Sequence, residues 1–264
     1  MLFWNVGRKP LLPRVARLAA AHAVDVVALA ECSEPAAAVA AALGGGWAVP
    51  FNTNRRFRVV TRVGVPLVAL EDDNTERVSV WRSGHPDRPD VLLGIIHLLS
   101  RSNRSGSDLA AFAQRSAAWL RGVEGRAGHR RTVLVGDFTH SPWEPPTVGG
   151  EGFHALMTVS LAERRDGRLI EGEPRPTFFN PMWQFLTDRG ERPAGTYYRR
   201  ASVPVNHYWY TLDHVLVRPE LAGRLSRVEI IDGDGGESLL APGGWPDTAA
   251  AGSDHLPLVF TLDD

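Results

Sequence analysis

The apolar positions of the chain follow two periods, and each predicts one kind of element. Short continuous apolar runs are typical of buried strands, whereas apolar residues three and four apart are typical of helices that face a core. The runs predict strands at 2–6, 24–31, 57–63, 65–70, 77–82, 91–98, 132–138, 207–217, 225–232 and 255–262. The helical spacing predicts helices at 10–22, 34–43, 107–123 and near 152–164.

The order of these elements indicates the fold class. Strands outnumber helices, and the second half has too few helices for a doubly wound parallel sheet. Two sheets packed face to face, with helices on their outer faces, would bury this pattern. We therefore expect an α/β (α+β) four-layer αββα sandwich with two mostly antiparallel sheets. No repeat or low-complexity linker divides the chain, so residues 1–264 are predicted to form a single domain.

Composition adds mainly exclusions. The formal net charge of 264 residues is −1, which gives no global signal for nucleic-acid binding. Arginine is nevertheless dense at 52–62, 100–104 and 128–132, and solvated loops are the commoner interpretation of such clusters. The single cysteine, Cys32, excludes an internal disulfide and is interpreted as a small buried residue.

The chain has no apolar stretch long enough to predict a membrane span. Its N-terminus, MLFWNVGRKP, places apolar residues before charged ones, the reverse of a secretory signal peptide. A cytoplasmic location is therefore expected if the sequence is the full product, and a mature secreted form stays an alternative. The sequence gives no indication of the oligomeric state.

Polar groups recur where the predicted strands end. A buried charge needs a partner, yet several of these groups are acidic and would repel one another if they met. A divalent cation would resolve the conflict, and oxygen ligands without cysteine favour Mg²⁺ or Mn²⁺. Each residue also has a structural interpretation, such as a helix cap, an Asx turn or a core histidine. The groups are Asn5, Glu31, His97, Asp137, Asp213, His214, Asp254 and His255.

The order of the segments that carry these groups is informative. The series WN, LAE, IIHL, VGDF, LDHVLV and SDHLPL resembles the endonuclease/exonuclease/phosphatase superfamily from residue 2 to about 260. The closing SDH-x-P-L-V is the most specific segment, and VGDF is the next. The resemblance implies metal-assisted hydrolysis of a phosphoester by in-line attack of water.

The resemblance also implies a role for each residue. Glu31 would be the principal metal ligand, with Asn5 beside it, and Asp254 would contact the metal or His255. Asp137 would orient or activate the attacking water. His255, positioned by Asp213, would act as a base or as an acid that contacts the phosphate. His97 would neutralise or protonate the leaving oxygen.

Position 139 departs from the family pattern. The family usually has asparagine two places after the aspartate, where this chain has Thr139, and commonly a second asparagine where this chain has Ser141. A threonine hydroxyl is shorter than an amide arm, so we expect a weakened donor to the phosphate oxygen. Loss of such a donor can cost about 10²–10³ in rate. A slow enzyme or a shifted substrate would follow.

The substrate is the least determined feature. Arg101 and Arg104 follow His97 and are candidates to hold phosphate, and Trp183, Tyr198 and Trp209 are candidates for a wall on which bases stack. Packing of these aromatic residues in the core is the alternative. Three functions compete: a metal-dependent DNA or RNA nuclease, a phosphatase or phosphodiesterase for a small molecule or lipid headgroup, and a non-catalytic binding module.

Overall fold

The computed structural model describes residues 1–85, 87–101, 104–164, 168–187, 192–248 and 252–263. The helices are α1 (Leu12–Ala21), α2 (Ala36–Leu43), α3 (Gly106–Ala127), α4 (Pro145–Val148), α5 (Val159–Ala162) and α6 (Pro219–Ala222), with a 3₁₀ helix at Pro181–Phe185. The strands are β1 (Leu2–Asn5), β2 (Val26–Ala30), β3 (Trp47–Ala48), β4 (Phe57–Arg62), β5 (Leu67–Asp72), β6 (Val78–His85), β7 (Arg88–His97), β8 (Thr132–Asp137), β9 (Ala155–Leu156), β10 (Arg168–Ile170), β11 (Glu173–Arg175), β12 (Phe178–Phe179), β13 (Tyr197–Tyr198), β14 (Trp209–Tyr210), β15 (Asp213–Val217), β16 (Leu225–Ile230) and β17 (Leu258–Leu262).

Most strands belong to two large mixed sheets. The first has the order β16-β17-β1-β2-β4-β3, and the second has the order β5-β6-β7-β8-β15-β12-β9. Parallel pairing joins β1 to β2, β7 to β8 and β9 to β12, and the other pairs are antiparallel. The predicted sandwich of two mostly antiparallel sheets is confirmed.

Three apolar clusters define the four layers. Phe3 of β1 packs with Ile95 of β7 and Val133 of β8 between the sheets. The neighbouring Leu2 faces outward and packs with α1 and α2, while α3 covers the outer face of the second sheet. Because the central strands are buried on both faces, they are continuously apolar rather than alternating. This burial is why the sequence predicts them well.

Two predicted elements are wrong. The long helix near 152–164 is absent, and β9 and the four-residue helix α5 occupy that part of the chain. Gly152 lies at the start of the predicted helix, where a Cβ atom would be 2.2 Å from the Pro146 carbonyl oxygen. The strand predicted at 207–217 is divided into β14 and β15, which pair with β13 and β8 respectively.

Among the described residues, no helix has the length and apolar character needed to cross a membrane.

Candidate active site

Strand register brings the predicted polar groups to one end of the sandwich. In the second sheet, Asp137 at the end of β8 is paired with His97 at the end of β7 and with Asp213 at the start of β15. In the first sheet, Asn5 ends β1 beside the end of β2, and Glu31 follows directly. Five chain segments distant in sequence are thus neighbours for a topological reason.

These segments enclose an open cleft of about 590 Å³. Eight of the predicted site residues line it, and Glu31 and Asp254 share this one cleft. Asp213 lies beneath its floor and reaches it through His255. The lining residues are Asn5, Gly7, Glu31, His97, Ser100, Arg101, Asp137, Thr139, Tyr197, Arg199, Leu212, Asp254 and His255.

Asp137 is the centre of the hydrogen-bond network. Its Oδ1 accepts a bond of 2.8 Å from the Thr139 backbone N–H, and its Oδ2 accepts a bond of 3.0 Å from Asn5 Nδ2. The Nε2 atoms of His97 and His255 both lie 3.8 Å from the same Oδ2. The carboxylate is therefore held in one orientation, with an imidazole on each side.

His255 and Asp213 form a buried pair. His255 Nδ1 donates to Asp213 Oδ2 at 2.7 Å, which leaves Nε2 facing Asp137. Burial alone would lower the pKa of His255, but the negative charges of Asp213 and Asp137 outweigh it and raise the pKa. Ser253 fixes the segment, because its hydroxyl donates to the Asn5 carbonyl oxygen at 2.6 Å and accepts from the His255 N–H.

Glu31 lies opposite this pair. Its Oε1 is 3.6 Å from His97 Nε2, and its side chain stays 35% exposed towards the cleft. The backbone of Glu31 has a φ of +49°, a conformation uncommon for a residue other than glycine. Burial lowers the pKa of His97, although Asp137 and Glu31 oppose the shift. His97 is thus disposed to be neutral beside two acidic groups.

Thr139 has strained geometry. Its φ is +57°, which is an outlier for a β-branched residue. Its hydroxyl donates to the Leu99 carbonyl oxygen at 2.8 Å. The hydroxyl hydrogen therefore stabilises the loop and is not directed at a substrate.

The site has the donor atoms that a metal ion requires. Within the described residues, Asp137, Asp213 and His255 each offer one ligand atom, and these atoms lie within 4.8 Å of one another. His255 and Asp213 already form a hydrogen bond of 2.7 Å, so a metal ion held by all three residues would have to break that bond. Glu31, Asn5 and Asp254 line the same cleft and offer oxygen atoms.

Four predicted substrate contacts are not among the described residues that line the cleft. Arg104 is exposed before α3, and Trp183 lies in the 3₁₀ helix. Tyr198 packs against Trp209 and Trp245.

The aromatic residue that does line the cleft is Tyr197, whose ring centroid is 4.9 Å from that of His255. Arg199 lines the cleft on the same side. Side chains of a strand alternate between its two faces, so residues one position apart point in opposite directions. Tyr198 was predicted for the cleft wall, whereas its neighbours Tyr197 and Arg199 line the cleft, because the register could not be read without the partner strand.

Comparison with known proteins gives the family. The model of the endonuclease/exonuclease/phosphatase family matches residues 2–255. The chain belongs to this family. Proteins of the endonuclease/exonuclease/phosphatase family hydrolyse phosphoester bonds, in agreement with the resemblance seen in the motifs. No curated protein matches the chain in sequence.

Solved structures of the family share the fold. The 3′ phosphatase NExo from Neisseria, bound to a product DNA hairpin, is 18% identical with a TM-score of 0.58, covering 100% of this chain and 98% of that chain. An AP endonuclease from Archaeoglobus fulgidus is 13% identical with a TM-score of 0.56 and the same coverage. D. rerio TDP2, complexed with a single-strand DNA product, is 15% identical with a TM-score of 0.53, again covering 100% and 98%.

Proposed function

We propose that this protein is a metal-dependent phosphoesterase that hydrolyses phosphodiester bonds of nucleic acid. The observation that carries the proposal is the shared cleft, in which Glu31 and Asp254 meet Asp137 between two imidazoles. A cation taken up in this partly buried place would offset the repulsion among these carboxylates. The substrate is itself anionic, so the same cation would also offset the repulsion between the substrate and the carboxylates.

The donor set fits a hard divalent cation. The oxygen atoms of Glu31, Asn5 and Asp254 would hold it, and such ligands favour Mg²⁺ or Mn²⁺. We prefer these residues to the Asp137–Asp213–His255 trio because the 2.7 Å bond between His255 and Asp213 would have to be given up there. When bound, the ion supplies Lewis-acid polarisation of the phosphoryl oxygen.

The protein's own side chains perform the remaining steps. Asp137, held by Asn5, orients the attacking water and accepts its proton. His255 Nε2 contacts a phosphate oxygen, while Asp213 fixes the imidazole in the tautomer that allows this. His97 lies across the cleft, where its Nε2–H donates a hydrogen bond to the leaving oxygen. Arg101 lines the cleft, although its guanidinium is already paired with Glu144.

Nucleic acid is the substrate class we propose. Arg199 adds a cationic group along the cleft, and Tyr197 offers an aromatic face beside His255. NExo and TDP2, whose structures hold DNA products, provide an analogy of fold. The cytoplasmic location and the single domain predicted from the sequence stay predictions.

A substrate panel tests the proposal. Plasmid DNA, single-stranded DNA, RNA and a small chromogenic phosphodiester are incubated with Mg²⁺ or Mn²⁺, and Glu31→Gln serves as the blank. We expect cleavage of at least one nucleic acid by the wild type and none above background by the variant. Hydrolysis of the small ester alone would favour a small-molecule phosphodiesterase. No hydrolysis, together with no heat of metal binding in calorimetry, would indicate a binding module.

A further inference from the structure

A second groove of about 440 Å³ continues the catalytic cleft on the Glu31 side. Glu31, His97 and Ser100 line both spaces, so the two are adjacent. Beyond these shared residues the groove is strongly basic. Its remaining walls are Arg8, Cys32, Ser33, Arg55, Arg56 and Arg77.

The positive charge of this groove is compensated in part, since Arg8 Nε lies 3.8 Å from Glu31 Oε2. Among the described residues, no carboxylate lies within 4.0 Å of the guanidinium nitrogens of Arg55, Arg56 or Arg77. Elsewhere in the fold, by contrast, Arg126 is paired with Glu71 and Arg218 with Glu124. Burial, followed by repulsion from Arg56 and Arg104, lowers the pKa of Arg77. An anion in the groove would relieve this repulsion.

The side chain of Asn54 holds the backbone that carries Arg55 and Arg56. Buried Asn54 accepts bonds of 2.8 and 3.3 Å from the N–H groups of Arg56 and Phe57 through its Oδ1. Its Nδ2 donates to Asp72 Oδ1 at 2.9 Å and to the Glu76 carbonyl oxygen at 3.1 Å. The loop that carries Arg55 and Arg56 is thereby fixed to β5 and to the turn that follows it.

Arg77 is fixed from the other side of the groove. Its Nη1 donates to the carbonyl oxygens of His97 at 3.0 Å and Leu98 at 2.9 Å. A guanidinium anchored at the end of β7 keeps its charge beside the catalytic cleft without losing side-chain entropy on binding an anion. Arg77 and the backbone that carries Arg55 and Arg56 are therefore in place before any ligand arrives, while the side chains of Arg55 and Arg56 are exposed to it.

We propose that this groove binds the phosphates of a nucleic-acid strand whose scissile bond lies in the catalytic cleft. The inference rests on the proposed function and specifies the side on which the strand continues. A small phosphoester would fill the cleft alone, whereas a linear polyanion matches a line of cationic groups that leads away from it. The cluster at 52–62, interpreted from sequence as a solvated loop, thus acquires a function. Residues 102 and 103 of the next cluster lie outside the described residues.

Equilibrium binding of a labelled single-stranded oligonucleotide tests the groove. Fluorescence anisotropy is measured in EDTA, where no cleavage occurs, for the wild type, Arg55→Gln/Arg56→Gln and a control. The control, Arg115→Gln/Arg130→Gln, removes the same charge from the exposed face of α3 and from the loop before β8, at the opposite end of that strand from Asp137. Thermal melting verifies that all three proteins are folded.

The salt dependence gives the expected result. Two lost phosphate contacts reduce the slope of log affinity against log salt by about 1.4 for a single strand. Between 50 and 200 mM salt, the wild type should therefore lose about sevenfold more affinity than the groove variant. The control should keep the wild-type slope. Equal slopes in all three proteins, or equal losses in both variants, would overturn the proposal.

A parallel assay separates this inference from the proposed function. The chromogenic phosphodiester is offered to the wild type with Mg²⁺ or Mn²⁺. If the wild type hydrolyses the ester but its affinity for the oligonucleotide does not depend on Arg55 and Arg56, the proposal for the groove is wrong and the proposed function stands. A wild type that hydrolyses neither ester nor oligonucleotide contradicts the proposed function, and the slopes in EDTA still decide whether the groove binds a strand.

Discussion

Asp137 shows how single residues determine this site. Its two oxygens accept bonds from Thr139 and Asn5, so it cannot rotate away from the two imidazoles. Thr139 contributes through its backbone N–H, while its side chain bonds to Leu99. The carboxylate anchor is thus retained even though the family's usual asparagine is replaced.

Replacing Thr139 by asparagine should increase turnover. Asparagine tolerates the positive φ of +57° better than a β-branched residue, and its amide extends farther towards a phosphate oxygen. We expect kcat to rise, by up to about 10² if the full donor is recovered. Steady-state hydrolysis of the best substrate of the panel measures the change.

Thr139→Ser is the matched control for this substitution. Serine keeps the hydroxyl for Leu99 and removes only the β-branch, so it should alter thermal stability and leave kcat near the wild-type value. An unchanged or lower kcat in Thr139→Asn would mean that Thr139 belongs to a differently built site.

At the level of elements, the pairing of β7 with β8 sets the distance between His97 and Asp137. Gly136 makes the close pairing possible: its φ is +149°, and an added Cβ atom would lie 1.9 Å from the Ile96 carbonyl oxygen. A side chain at this position would separate the strands where both catalytic groups leave them. The glycine of VGDF is therefore required by the approach of the neighbouring backbone.

Gly136→Ala should accordingly destabilise the fold and abolish activity. We expect a loss on the order of 3 kcal/mol, measured by urea unfolding, because the clash is with backbone. Gly94→Ala on the same strand pair is the control, since its Cβ would meet the tip of the Leu134 side chain, which can move. Wild-type activity in Gly136→Ala would disprove this account of the glycine.

The elements also show what could be predicted from the sequence. Strands buried on both faces, such as β1, β2 and β8, are uniform apolar runs and were predicted within a residue or two. The strands between residues 139 and 206 were not predicted, because they have only two or three residues and most of them pair with strands distant in sequence. The same reason explains why Tyr198 was proposed where Tyr197 lines the cleft.

For the whole molecule, the site exists only because the two sheets end at the same place. Glu31 follows the first sheet, whereas His97, Asp137 and Asp213 come from the second, and His255 precedes the return to the first. The polar groups at the strand ends were predicted from the sequence, and the resemblance to the family suggested their roles, whereas the basic groove depends on contacts that the sequence does not reveal. Anything that loosens the sandwich should therefore disassemble the site.

Low pH should destabilise the sandwich through the protonation of His214. This residue is buried, its Nε2 donates to the carbonyl oxygens of His140 and Thr211, and burial lowers its pKa to about 4. The unfolded chain takes up a proton below about pH 6.5, which the folded protein resists until about pH 4. Stability from this group is therefore complete above pH 6.5 and is lost as the pH falls towards 4, by on the order of 3 kcal/mol.

Urea unfolding at several pH values between 4 and 8 measures this effect. His214→Gln, which cannot be protonated, should lose less stability over that range than the wild type, although it is less stable at pH 8. If the free energy of unfolding falls equally with pH in the two proteins, His214 is not the cause of the acid sensitivity, whatever the other acid-sensitive groups contribute.

The most direct measurement of the central claim is phosphodiester hydrolysis as a function of Mg²⁺ or Mn²⁺ concentration, for the wild type, Glu31→Gln and the nearby control Glu34→Gln. Glu34 is not among the described residues that line the catalytic cleft. We predict a saturable dependence on metal that EDTA removes, a loss of about 10²-fold or more in Glu31→Gln, and a Glu34→Gln variant close to the wild type. Hydrolysis that persists in EDTA, or that is equal in Glu31→Gln and the wild type, would contradict the account.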